Sequence, residues 1–202
     1  MICDAAEQLL VTADAASFSL RALGEQLGVD PTAVYRHFAD KDDLLREVGD
    51  RALTPVVHRF ESSADPQSDI ERLCTRLRST LIRNPIGLSI TASGPTRRTN
   101  ELRITEIILD ALSRAGLDDD KAVVAYHVII EYTLGSAWLD APLAAVGADR
   151  SGTYRAWRAD YAVLDVNEYP TTTQLARKLY PSSNKVFAAG LAAVISGLVT
   201  NQ

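Results

Sequence analysis

One short stretch limits what the whole chain can become. The run DPTAVYRHFA, residues 30–39, has room for only eight helical residues, Pro31–Phe38. Asp30 suits an N-cap, because its carboxylate accepts from a free backbone N–H. Pro31 suits the first helical position, which needs no N–H. Two turns of helix do not persist alone in water, so Ala33, Val34 and Phe38 must dock on neighbouring helices. Those are at hand. Leu20, Leu23 and Leu27 form a helical stripe stopped by Gly28, and Ile2, Ala5, Ala6, Leu9 and Leu10 form another ahead of it. Docking leaves Thr32, Tyr35, Arg36 and His37 facing outward. Two short helices joined by a tight turn at Gly28 are a helix-turn-helix, a motif that sets its second helix in a DNA major groove. Eight residues at about 1.5 Å each give a rod about 12 Å long, close to the groove's width of about 12 Å.

Nearly every other periodic segment also repeats at 3.6 residues. Asp40 caps a fourth helix carrying Leu44, Leu45, Val48 and Ala52, with Asp43 placed to reach back as in a capping box. Pro55 marks its end or a kink. Past the polar joint ESSADPQSD, Ser68 or Asp69 opens a helix bearing Ile70, Leu73, Leu77 and Leu81, closed by Asn84-Pro85. A short apolar segment, Ile86–Ala92, ends at Gly94-Pro95. Leu102, Ile104, Ile107, Ile108, Ala111 and Leu112 lie on the next helix, which Gly116 stops. Asp118 or Asp119 caps a long helix that runs to about Leu139, ahead of Pro142. Residues 140–153 read as a loop and 154–164 as a helix; DVNEYPTTT and YPSSN connect around a short one, and Asn184 caps the last. The fold class is all-α. An N-terminal three-helix head with its connecting fourth helix occupies residues 1–53, and a larger helical body occupies 54–202.

The net charge of −5 lies in the head. Residues 1–53 carry Arg21, Arg36, Lys41, Arg46 and Arg51 against ten Asp and Glu, whereas the remainder balances. Nucleic-acid binders are commonly basic, so recognition of DNA by this chain must rest on geometry and local charge. Cys3 and Cys74 have no metal-like spacing and read as free thiols in a reducing cytoplasm. Ile2–Val11 is interrupted by Asp4 and Glu7, unlike a signal peptide. The apolar run Val186–Val199 falls short of the roughly 18–20 residues that span a bilayer and reads as a buried helix. No membrane partner is expected, and the expected location is cytoplasmic. There is no glycine-rich phosphate loop, nucleophile elbow or zinc spacing, and His37, His58 and His127 lack convincing catalytic partners. The chain reads as no enzyme: no catalytic residues, no metal, no cofactor.

The stretch FSLRALGEQLGVDPTAVYRHFADKDDLL, Phe18 to Leu45, closely resembles the DNA-binding domain of the TetR family of bacterial transcriptional repressors. Its Leu-Arg-x-Leu, Leu-Gly-Val, Tyr-x-His-Phe and Lys-x-x-Leu-Leu elements come in the family's order. The resemblance implies that Ser19 and Arg21 touch phosphates at the start of the second helix. It implies that Pro31, Thr32, Ala33 and Arg36 lie at or near base edges, that Tyr35 and His37 meet phosphates, and that Lys41 clamps a phosphate beside the free N–H groups of the fourth helix. Arg36 is the candidate for reading a guanine through O6 and N7. Family members often add a basic arm before the first helix. MICDAAEQLL carries nothing basic before Ser19, so either an arm is missing from this start or minor-groove help is absent.

From residue 54 the resemblance is architectural. It implies a homodimer on a double-stranded, palindromic DNA operator, with an unidentified small-molecule effector held in the body. The last helix supports pairing independently, since it is apolar nearly all round and must be covered on every side. Phe187, Leu191, Val194, Ile195 and Leu198 are expected at the dimer interface, where 119–139 and 184–199 meet their symmetry copies in a four-helix bundle. Polar groups on otherwise apolar helices are the pocket candidates: Thr91, Asn100, Arg103, Tyr126, His127, Glu131 and Trp138. His127 and Glu131 lie one turn apart on a helix, but two ligands do not make a metal site. The expected function is a DNA-binding regulator, a repressor whose operator is released when an effector shifts the spacing of its two heads. A helical interaction protein with a degenerate head, and a TetR-like activator, stand as alternatives.

Overall fold

The computed structural model describes residues 1–12, 18–145 and 150–200, and among these every regular element is helical. The head comprises α1 (Ile2–Thr12), α2 (Leu20–Leu27), α3 (Pro31–Tyr35) and α4 (Lys41–Ala52). The body adds α5 (Thr54–Val57), α6 (Pro66–Arg83), α7 (Pro85–Ser93), α8 (Thr99–Arg114), α9 (Asp119–Ala145), α10 (Arg150–Ala162), α11 (Pro170–Leu175), a 3-10 turn (Ala176–Lys178) and α12 (Ser183–Thr200).

Local chemistry shapes the head as expected, with one difference. Gly28 takes φ 65°, and the N–H groups of Gly28 and Val29 donate to the carbonyls of Glu25 and Gly24. This is a Schellman ending, which needs a residue at ease in the left-handed region. Asp30 accepts from Thr32 N at 2.8 Å, and Asp40 from Asp43 N at 2.7 Å. The third helix is shorter than the sequence suggests: it ends at Tyr35, and Arg36 to Phe38 continue as a turn held by His37 N and Phe38 N on the Val34 carbonyl. Val34 is fully buried and seats this piece on Leu20, Leu23, Leu44 and Val48.

The head is joined to the body along α4. Ile86 and Ile90 of α7 pack against the head's own core, and glycines permit the approach. A Cβ at Gly49 would lie 2.6 Å from Ile90 Cγ2, and one at Gly87 would lie 2.5 Å from Ala52 Cβ. Neither crossing has room for a methyl group. Asp50, only 4% exposed, fastens the same helix to α8. Its carboxylate accepts from Thr96 Oγ1 at 3.1 Å, Asn100 N at 3.1 Å and Glu101 N at 2.9 Å. It thereby caps α8, whose flanking Arg98 offers no side-chain cap.

In the body, α6 runs through the middle and packs on α8, α9 and α12. Its cap is Asp65, which accepts from Gln67 N and Ser68 N, rather than Ser68 or Asp69. Asp69 is freed for another use. Completely buried, it accepts from Ser63 N and Oγ, from Arg72 Nη2 at 2.6 Å and from Arg114 Nη2 at 2.9 Å. Burial alone would raise its pKa, but the Arg114 and Arg72 guanidiniums and the Ser63 amide outweigh burial and hold the carboxyl far below the usual range. A depressed folded pKa contributes stability above the unfolded value, about 3.9, and that contribution is lost as pH falls through the folded value. Asp69→Asn is therefore expected to lower stability by about 2 kcal/mol at pH 7. It should also flatten the acid limb of the stability–pH curve below about pH 4, as measured by urea unfolding across pH.

The long helix does not stop before Pro142. Asp118 caps it through Lys121 N, and it continues to Ala145. Packing overrides the proline: Asp140 is bound by Arg78, and Ala141 is buried. By length and composition, Asp119–Pro142 is long and apolar enough to cross a membrane; here it packs on α6, α7, α8 and α12. Arg78, 3% exposed, also donates to Ser136 Oγ at 2.9 Å and Asn184 Oδ1 at 2.8 Å, and lies 4.8 Å from the Phe187 ring centroid. Asn184 is thus a partner of Arg78 and not the cap of α12; Ser182 Oγ accepts from Lys185 N instead. Of the expected 140–153 loop, residues 146–149 lie outside the described residues, and α10 already begins at Arg150.

Candidate nucleic-acid interface and ligand cavity

Docking α3 on the head core leaves Thr32, Tyr35, Arg36 and His37 exposed, with Ala33 half-buried; Pro31 opens the helix at its first position. Tyr35 is 55% exposed, a large value for an aromatic ring in a small head. Ser19 is the N-cap of α2 and accepts from Ala22 N at 3.1 Å, which leaves its hydroxyl proton available to a phosphate. Arg21 is exposed beside Glu25, Nε to Oε1 3.2 Å. A phosphate would have to displace that surface pair, which costs about 0.3–0.5 kcal/mol. Lys41 opens α4 with its Nζ 5.8 Å from the Phe18 ring centroid.

The acidic residues of the head have structural partners. Asp4 meets Arg51 at 2.6 Å and joins α1 to α4. Asp30 and Asp40 are caps, and Asp50 is buried. Asp43 reaches back to Ala39 N at 3.1 Å and also holds Arg98 at 2.5 Å. The Ala39 amide, with help from Arg98 and Arg46, keeps its carboxyl ionised below the ordinary range. Much of the head's negative charge is thus committed to caps and to the joint with the body.

Between α7, α8 and α9 lies a cavity of about 340 Å³. Leu53, Leu77, Ile104, Ile130 and Leu134 give it apolar walls; Thr91, Thr96, Glu101, Thr105, Tyr126, His127 and Glu131 add polar groups. Thr105 Oγ1 shares a 2.9 Å hydrogen bond with Tyr126 Oη and donates to Glu101 Oε1 at 2.9 Å. A wider and more open groove of about 480 Å³ lies beside it, lined by Asp42, Leu45, Arg46, Ile90, Pro95 and Arg97. Of the residues expected at a pocket, Thr91, Tyr126, His127 and Glu131 line the cavity and three do not. Asn100 is taken by Asp50, its Nδ2 donating to Oδ2 at 3.0 Å. Arg103 points to solvent from the outer face of α8. Trp138 lies two turns further along α9, beside Pro85, Leu88 and Pro142. Thr96, Glu101 and Thr105 were not among the expected residues. A sequence signal existed for two of them: Glu101 and Thr105 are four apart, on the side of α8 that also carries the buried Ile104 and Ile108. Among the described residues no three His, Cys, Asp or Glu side chains come together as a metal set.

The last helix presents the opposite face from the one expected. Phe187, Leu191 and Ile195 are buried in this chain's own core, and Val194 and Leu198 pack partly against it. The exposed side is small: Ala188, Ala189, Ala192, Ala193, Ser196 and Gly197. The large side chains fill the space between α12, α6 and α9, where volume is needed. Gly190 belongs to that contact, since a Cβ there would run into the Tyr132 hydroxyl. On α9, which packs on α12, Val124, Val128 and Leu139 are exposed.

Comparison with known proteins decides the family. Residues 2–48 match the family described as bacterial regulatory proteins, tetR family, and residues 61–201 match the tetracyclin repressor-like C-terminal domain. The chain belongs to the TetR family. The HTH-type transcriptional repressor Rv1353c of Mycobacterium tuberculosis is 29% identical over 130 residues, 61% of this chain and 50% of that protein. The chain thus spans about half the length of the curated relatives it matches. The transcriptional regulator SCO7222, a TetR from Streptomyces coelicolor, is 27% identical with a TM-score of 0.81, over 98% of this chain and 96% of that one. ActR of Streptomyces coelicolor, in complex with actinorhodin, is 20% identical with a TM-score of 0.83, over 99% and 95% of the two chains; at that identity the likeness is one of fold. In this TetR-family chain, the helix-turn-helix and the cavity meet at α4, since the Asp50 that caps α8 stands one residue from Gly49.

Proposed function

We propose that this chain is a homodimeric, cytoplasmic repressor of transcription. It seats α3 in the major groove of a palindromic operator and lets go when a small molecule occupies the body cavity. The supporting observation is the outward set Thr32, Tyr35, Arg36 and His37, flanked by Ser19, Arg21 and Lys41. It is what a groove and its two phosphate walls would meet. One head reads half a site, and a two-fold copy places the other about 34–36 Å away. The small-residue face of α12, with Val124, Val128 and Leu139 of α9, is the surface on which two copies pair. No turnover and no cofactor enter this reading. Release follows from geometry: Thr96 and Glu101 line the cavity and also bond Asp50 of α4, so a ligand that shifts the start of α8 shifts the head. The shift can be no larger than the ligand's preference for one arrangement over the other.

The test is fluorescence anisotropy on DNA from upstream of the gene, with two chains expected per duplex. Lys41→Ala should weaken binding to every sequence and reduce the salt slope by about one. Arg36→Ala should cost about 1–3 kcal/mol and relax the preference at one base pair. If both variants bind as wild type does across salt concentrations, α3 is not the reading element.

A further inference from the structure

The cavity is one-sided in charge. Among the described residues its wall holds two carboxylates, Glu101 and Glu131, and no Lys or Arg. The neighbouring cations are engaged or turned elsewhere. Arg98 lies 2.5 Å from Asp43 and 3.7 Å from Glu47, Arg97 lines the outer groove, and Arg78 is bound to Asp140. Glu101 is held in place, with Oε1 accepting from Thr105 Oγ1 at 2.9 Å and Oε2 from Arg97 N at 3.1 Å. Each oxygen retains a second lone pair for a donor inside the cavity. The charge of Glu101 is felt across the cavity: burial raises the pKa of the Tyr126 hydroxyl, the Thr105 bond opposes this, and the Glu101 carboxylate raises it further. Glu131 stands at the exposed rim, one turn from His127.

We propose that the cavity admits an amphipathic cation, a compact apolar body bearing a protonated nitrogen, which Glu131 draws in at the rim and Glu101 receives. The proposal deepens the effector reading and rests on it. Leu53, Leu77, Ile104, Ile130 and Leu134 cover the apolar body, and a volume of about 340 Å³ suits about three fused rings. The ring face of Tyr126 attracts the same sign of charge. An anion of equal shape would meet two like charges in a partly desolvated site, with His127 at the exposed rim and no Lys or Arg in the described wall to offset them.

The experiment uses two acridines of one shape and opposite charge, 9-aminoacridine (cationic at neutral pH) and acridine-9-carboxylate. Each is titrated by fluorescence into the full chain without DNA. The cation should bind at least about thirtyfold tighter. Glu101→Gln should weaken it about tenfold, in line with a lost charged hydrogen bond. Glu131→Gln should weaken it about threefold, as suits an exposed charge. Glu71→Gln, on the outer face of α6, should change nothing, which separates the cavity from general attraction to an acidic protein. Equal or tighter binding of the carboxylate, binding of neither probe, or a cation-to-anion ratio unmoved by the two cavity variants overturns the proposal. Adding 9-aminoacridine to the preformed operator complexes of wild type and Glu101→Gln tests the reading beneath it; because the dye also intercalates in DNA, only release that the Glu101→Gln complex resists counts as release through the cavity. A cation that binds with the expected Glu dependence yet leaves operator affinity unchanged refutes the release mechanism and leaves the ligand class standing.

Discussion

Arg78→Ala is expected to lower the free energy of unfolding by about 3–5 kcal/mol, the usual consequence of removing one partner from a buried ion pair. Domains of this kind have roughly 5–15 kcal/mol in all, so the variant should sit near the edge of folding. The cause is specific. Arg78 joins α6 to both α9 and α12, through Asp140, Ser136, Asn184 and the face of Phe187. Its loss leaves the buried Asp140 carboxylate without its guanidinium and opens a void against Phe187. Urea unfolding measures it, with the midpoint shifting and the slope unchanged. Arg78→Met combined with Asp140→Leu should recover much of the loss, because well-packed apolar groups of similar volume commonly replace a buried pair at little cost. A loss below about 1 kcal/mol for Arg78→Ala would show that the pair does not hold the three helices together.

Asp50→Ala is expected to cost about 3 kcal/mol, since it removes a helix cap and leaves several buried donors without their acceptor. The more informative effect is on where the protein opens. Asp50 holds the Asn100 and Glu101 amides, so the first turn of α8 should lose hydrogen-exchange protection, and α4 should lose it in parallel. Thr96→Val removes a single bond to the same carboxylate and should cost about 1 kcal/mol with the fold intact. If α8 loosens in Asp50→Ala while α4 keeps its protection, the cap serves α8 alone and does not couple body to head.

The head was legible because its signals are local. Asp30-Pro31, Gly28 and Asp40 each act within four residues of themselves, and all three do in the structure what their chemistry dictates. Only the end of α3 differs, because Val34 draws the chain into a turn two residues past Tyr35. The body is governed by partners far apart in sequence. Asn100 looks like a pocket group on an apolar helix until Asp50, fifty residues away, claims it. Asp69 looks like a cap until Arg72 and Arg114 surround it. Pro142 looks like a stop until Arg78 anchors the turn before it. The last helix shows the limit most plainly. In sequence it is apolar nearly all round, and only the volume left between α6 and α9 decides which side turns inward.

The glycine crossings at Gly49 and Gly87 have a mechanical consequence. Where backbone meets side chain with no intervening methyl, there is no compressible layer to absorb a displacement, and close-packed matter passes strain on. The two parts of the molecule therefore engage without backlash. A displacement of α7 is passed to α4 through Ile90 on Gly49 and Ala52 on Gly87. Bulk added at either glycine would have to push α4 and α7 apart and so change the angle at which the head meets the body.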